Sequence, residues 1–141
     1  KDIDIWGFDT FEGLSGSWFG TSFYSGSYSN NGLLPKTRSN VTLKKGDISD
    51  TIPNFLKINE RKISLIHFDL DTRDITLSAL NILNSVITDS ILIIFDEYHG
   101  FPSFENGEKS AWKDFALKEK LSCKYLAFSN QQALIKVSIS N

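Results

Sequence analysis

Ile66-His67-Phe68-Asp69-Leu70-Asp71 and Ile94-Phe95-Asp96-Glu97-Tyr98-His99 decide how this sequence folds. Each is an apolar run of strand length that passes straight into acids. The second begins within Ile91-Leu92-Ile93-Ile94-Phe95, a run suited to a strand covered on both faces. Between them Ile75, Ala79, Ile82, Leu83, Val86 and Ile87 fall on one helical stripe, with Asp71 or Thr72 placed to cap it. This is a strand-helix-strand crossover. A right-handed crossover returns its second strand parallel and often adjacent to the first. In open α/β sheets ligands bind beyond the carboxyl ends of the strands, so Asp69, Asp71, Asp96 and Glu97 are expected to share one small region. Crowded carboxylates raise one another's pKa unless a cation neutralises them, and hard oxygen ligands suit Mg²⁺ or a similar divalent ion. The plainer reading is that one or two of these acids cap the following helix, Asp71 above all.

The same alternation of short apolar runs and amphipathic stretches extends outward and marks an α/β domain. Strands are expected over Ile3 to Phe8, Val41 to Lys45, Ile63 to Phe68 and Ile91 to Phe95. Further helices are expected near Thr51 to Ile58 and Glu108 to Lys120. The tail changes character: Lys124 to Phe128 reads as a short strand, and Ala133, Ile135, Val137 and Ile139 alternate with polar residues, which predicts an antiparallel, hairpin-like end to the sheet. His67 reads as a hydrogen-bonded group in a buried strand, and Cys123, opening a strand, as core. Residues 13 to 32 fit no regular element. They combine glycines and serines with Trp18, Phe19, Phe23, Tyr24 and Tyr28, and lack both the Gly-Lys-Ser/Thr ending of a nucleotide P-loop and the Gly-x-Gly-x-x-Gly of a dinucleotide site. A flexible substrate-side lid and a plain surface loop are the two readings left open.

Composition bounds the function. A chain of 141 residues, 40% apolar, supports one core, and residues 1–141 are read as a single domain. Fifteen basic against seventeen acidic side chains leave a net charge of −2, so neither a nucleic-acid backbone nor an anionic membrane is an expected partner. A single cysteine forms no internal disulfide, and no apolar run reaches membrane-spanning length. These features predict a soluble, cytoplasmic protein. Lys1 lies inside an expected strand and the chain holds no methionine, so it reads as a fragment of a longer gene product.

The Asp69-Leu70-Asp71 element admits three readings. A haloacid-dehalogenase-type phosphatase would begin with such a strand and Asp-x-Asp-x-Thr/Val, but Arg73 occupies the Thr/Val position. A nucleotide-sugar glycosyltransferase holds a metal and a diphosphate with Asp-x-Asp, but nothing else in the chain supplies its pattern.

The third reading draws on more of the sequence. Trp6-Gly7-Phe8-Asp9-Thr10-Phe11-Glu12-Gly13-Leu14 resembles the Gly-Phe-Asp-Ser-Phe-Glu-Gly-Leu signature of the macrocin O-methyltransferase family, class I enzymes that use S-adenosylmethionine. Gly32-Leu33-Leu34-Pro35, Lys45-Gly46, Asp50-Thr51-Ile52-Pro53, His67-Phe68-Asp69-Leu70-Asp71 and Phe95-Asp96-Glu97-Tyr98 with Phe101-Pro102 resemble later blocks of that family, in order. The chain departs from it in having Thr72-Arg73-Asp74 where the family has Tyr-Ser-Ser. The family's first strand and glycine-rich turn would precede Lys1.

The resemblance implies a Rossmann-like class I methyltransferase fold in three layers, N-terminally truncated, with a mostly parallel mixed sheet and an antiparallel C-terminal strand. The family's sheet order is 3-2-1-4-5-7-6. Without the first strand, six strands are expected in one sheet, with the second and fourth pairing directly or leaving open edges that a homodimer would cover. The implied function is S-adenosylmethionine-dependent, Mg²⁺-assisted O-methylation of a hydroxyl on a small, sugar-containing molecule. By the same resemblance Asp9 would hold the cofactor's ribose hydroxyls, and Asp47 and Ile48 its adenine. Asp69, Asp96 and Glu97 would be metal ligands, with Asp69 also catalytic. His99, in the loop after them, reads either as the catalytic base or as a bystander. Asp9 could equally start a turn, and Asp47 cap a helix. The rival function is a non-catalytic α/β remnant that serves binding or assembly.

Overall fold

The structure is a computed structural model that describes residues 3–18 and 20–139, in two compact units, Lys1–Glu60 and Arg61–Asn141. Of the expectations above, that for Phe19 in the glycine-rich segment and that for Lys1 within a strand lie outside the described residues. No helix among them is long and apolar enough to cross a membrane.

In the first unit β1 (Ile5–Asp9) and β2 (Val41–Lys45) pair in parallel, from Ile5 opposite Val41 to Asp9 opposite Lys45. Helix α1 (Ile48–Ile58) follows β2 and buries Ile52 and Phe55. Phe55 packs on Trp6 and Phe8 of β1, with ring centroids 5.0 and 5.3 Å apart. The helix begins earlier than the expected Thr51 because Asp47 caps it, its carboxylate accepting the Ser49 N–H at 2.7 Å. Residues 13–32 form no regular element but fold on themselves: Leu14 N–H donates to Ser27 O at 3.0 Å and Gly26 N–H to Leu14 O at 2.9 Å. Phe23 lies between Trp18 and Tyr28, at 5.8 and 4.8 Å.

The second unit is built on a four-stranded sheet in the order β3 (Leu65–Phe68), β4 (Leu92–Phe95), β6 (Gln132–Ile139), β5 (Leu121–Ser129). β3 and β4 are parallel, and β6 runs antiparallel to both β4 and β5. β4 is paired on both edges and buries Ile93 and Phe95 completely, which is why its sequence reads as one unbroken apolar run. Helices α2 (Arg73–Leu83) and α3 (Glu108–Lys118) pack on each other. Leu80 of α2, Phe115 of α3, and Ile135 and Val137 of β6 are fully buried, so the core lies among these elements. Arg73 donates to Asp114 at 2.6 Å and Lys118 to Asn81 at 3.0 Å, tying the two helices at their surface.

The α/β class and the antiparallel C-terminal strand are as expected. Within the first unit the strands form the pair β1-β2, and within the second the four-stranded sheet. Three side chains differ from expectation. His67 is exposed, because Leu65 and His67 share the open face of β3 while Phe68 points to the core. Cys123 is half-buried within β5, the outermost strand. Asp71 does not cap α2. It sits in the left-handed region at φ 60°, which Asp tolerates better than most residues, and Thr72 occupies the cap position without a side-chain bond.

Candidate functional site

The parallel ladder of β3 and β4 brings their carboxyl ends side by side. Asp96 N–H donates to Phe68 O at 3.0 Å, extending the ladder one residue past β4. Phe68 and Phe95 stack beneath at 5.3 Å, both buried. The chain then leaves both strands on acids. One carboxylate oxygen each from Asp69, Asp96 and Glu97 lies within 4.8 Å of the others, close enough for one hard cation to bridge.

The environments of the three differ. Asp69 is exposed. Asp96 is half-buried and oriented by two donors on the same oxygen, Oδ1: Gln132 Nε2 at 2.5 Å and His67 Nε2 at 2.9 Å. Glu97 is 7% exposed, and its Oε2 is buried without a hydrogen-bond partner among the described residues. Burial, followed by the charges of Glu108, Asp71, Asp69 and Asp96, pushes its carboxyl up to about 9. A buried carboxylate oxygen lacking any donor, facing further carboxylates, is the arrangement a divalent cation relieves. The donor set, all hard oxygen, fits Mg²⁺.

Glu108 went unread in the sequence. It is completely buried at the start of α3, and its two oxygens accept the backbone N–H groups of Leu70 at 3.2 Å and Glu97 at 3.0 Å. Burial pushes its carboxyl up to about 8, against the downward pull of those two N–H groups. An acid in the first turn of a helix looks like ordinary dipole compensation. The available signal was its place on the stripe Glu108, Ala111, Trp112, Phe115, where an apolar residue belongs.

Beside the acids lies a cavity of about 570 Å³, lined by Asp96, Gly100, Asn130, Gln131 and Gln132. Three neutral amides and one carboxylate make it polar without net positive charge. His99 is anchored nearby. Its Nε2 is 3.3 Å from Gln132 O, its N–H donates to Gln131 O at 3.1 Å, and its ring meets Phe128 edge-on at 5.4 Å. With Nε2 donating to that carbonyl, Nδ1 is the nitrogen left to accept a proton. Arg73, whose presence spoils the phosphatase motif, turns to Asp74 and Asp114.

In the first unit Asp9 and Asp47 stand at the carboxyl ends of two adjacent parallel strands. Both also do the plainer local work. Asp9 accepts the Phe11 N–H at 2.7 Å to close a turn. Asp47 caps α1, and the Ser49 hydroxyl and N–H hold its carboxyl below the ordinary carboxylate range. Ile48, half-buried, is the first residue of the helix. Exposed carboxylates at such strand ends are the acceptors a nucleoside needs, one for ribose hydroxyls and one for an exocyclic amine.

The fold is Rossmann-like α/β. Among solved structures, the chain is similar to CalS11, described as a calicheamicin methyltransferase, with 23% identity, TM-score 0.73, and coverage of 94% of this chain and 60% of that one. An apo structure of CalS11, described as TDP-rhamnose 3'-O-methyltransferase, aligns with 23% identity and TM-score 0.62 over 94% of this chain and 58% of that one. The O-methyltransferase NovP aligns with 16% identity and TM-score 0.66 over 99% of this chain and 62% of that one. The chain thus spans less than two thirds of the length of each. No protein-family model matches the sequence, and no curated protein does.

Proposed function

We propose that the chain forms part of an S-adenosylmethionine-dependent O-methyltransferase that acts, with a divalent cation, on a hydroxyl of a sugar-bearing small molecule. The observation that carries this reading is the convergence of Asp69, Asp96 and Glu97 around the unpartnered, buried Oε2 of Glu97. The fold shared with CalS11 and NovP and the sequence blocks resembling macrocin O-methyltransferases support it.

Asp69, Asp96 and Glu97 would hold the cation, and Asp9, Asp47 and Ile48 the adenosine part of the cofactor. When bound, a divalent cation lowers the pKa of a coordinated hydroxyl, and S-adenosylmethionine supplies an electrophilic methyl group. The chain's own residues do the rest. His67 and Gln132 fix the Asp96 carboxylate. Asn130, Gln131 and Gln132 offer both donors and acceptors to a neutral polyhydroxyl acceptor in the adjoining cavity. His99, held through Nε2, takes the hydroxyl proton at Nδ1.

Isothermal titration tests the reading. Mg²⁺ and S-adenosylhomocysteine are each expected to bind the chain saturably, with Mg²⁺ binding lost in Asp96→Asn and nucleoside binding lost in Asp9→Asn. Absence of both binding events would overturn it. TDP-rhamnose, the sugar nucleotide in the description of CalS11, is the first acceptor to test for methylation.

A further inference from the structure

A carboxylate held at zero exposure, among Asp69, Asp71, Asp96 and Glu97, is badly placed if it serves folding alone. Ionised, it would add negative charge where negative charge is already crowded, and among the described residues no basic side chain bonds to it. What Glu108 does hold is specific. Its Oε1 takes the N–H of Leu70, between Asp69 and Asp71, and its Oε2 takes the N–H of Glu97 itself. The two segments it joins leave different strands. Glu108 is itself fixed from behind. One helical turn later Trp112, 2% exposed, packs on Phe95 at 5.9 Å, and Ala111 and Phe115 are fully buried, so α3 cannot shift without opening the core.

We propose that Glu108 is the positioning residue of the acidic site: by accepting one N–H from each strand-end loop, it sets the spacing at which Asp69 and Glu97 present oxygens to a divalent cation. It rests on the cation reading above. Glu108 is not a ligand in this arrangement, because both of its oxygens are engaged by backbone donors. Its two oxygens take one N–H each, and its length spans the two loops. Partners that orient metal ligands typically contribute 10- to 100-fold in metal affinity.

The test uses the whole chain and Mn²⁺, read by electron paramagnetic resonance of the free ion. Glu108→Gln keeps the shape but can accept only one of the two N–H groups. Glu108→Asp keeps the charge but falls short of the span. Both are expected to weaken Mn²⁺ binding by about tenfold or more. Exchange protection of the Leu70 and Glu97 amides in the metal-free chain should fall in either variant. Wild-type Mn²⁺ affinity in both variants, whatever their melting temperatures, would overturn the positioning role while leaving the cation reading intact. Failure of the wild-type chain to bind Mn²⁺ would overturn both.

Discussion

Gln132, the first residue of β6, donates its side-chain Nε2 to Asp96 Oδ1 at 2.5 Å, across the junction where the parallel part of the sheet meets its antiparallel end. His67 of β3 reaches the same oxygen from the other side at 2.9 Å. Three neighbouring strands therefore fix one carboxylate. The expected consequence is a graded series in Mn²⁺ titrations: Asp96→Asn abolishes binding, whereas Gln132→Ala and His67→Ala each weaken it by about tenfold. If the proposed function holds, Asp96→Ala abolishes methyl transfer and spares S-adenosylhomocysteine binding.

Glu97 and Glu108 have folded-state pKa values near 9 and 8, both above the ordinary 4.5. Groups raised in this sense favour the folded state below the unfolded pKa, and that contribution is lost as pH rises through the folded values. Melting of the metal-free chain should show a component that falls between about pH 5 and about pH 9. Glu97→Gln should flatten it, and saturating Mg²⁺ should restore stability at the alkaline end. A melting profile identical in wild type and Glu97→Gln would contradict the assignment.

Asp47 combines a local and a proposed ligand role, and two substitutions separate them. Asp47→Ser keeps an oxygen that caps α1, so melting of the chain should stay near wild type while S-adenosylhomocysteine binding falls. Asp47→Ala should lower both. Equal nucleoside affinity in wild type and Asp47→Ser would leave only the cap.

Leu80 is fully buried in α2. Leu80→Ala removes its packing and leaves a cavity, for which about 2–5 kcal/mol of lost stability is expected in urea unfolding.

Gly13 has φ +79°, and a Cβ there would lie 2.2 Å from Ser27 O. Gly13→Ala should break the Leu14–Ser27 pairing that folds residues 13–32 together. Faster proteolysis within that segment, with the melting of the second unit unchanged, is the expected readout.

Periodicity alone was enough to locate most elements. Val41 to Lys45 matches β2 at both ends, because alternation and the glycine after Lys45 are local signals. The stripe through Ala79 and Leu83 gave α2, and the alternation of Ala133, Ile135 and Val137 gave β6, since each pattern follows from which face a side chain must bury. The convergence of Asp69, Asp96 and Glu97 was also legible, because a right-handed crossover returns one strand end beside the other.

What needed the tertiary structure were contacts between residues far apart in sequence. No local pattern says that Glu108 lies beneath Leu70 and Glu97, that Gln132 and His67 meet on one oxygen of Asp96, or that Glu97 Oε2 has no donor among the described residues. Nor could periodicity tell that β6 lies between β4 and β5, because a strand's own sequence records which face is buried but not which neighbour completes its ladder. Side-chain patterning is a property of one segment in water and oil. Hydrogen-bond partnership and burial of charge are properties of several segments at once, and only their packing decided them.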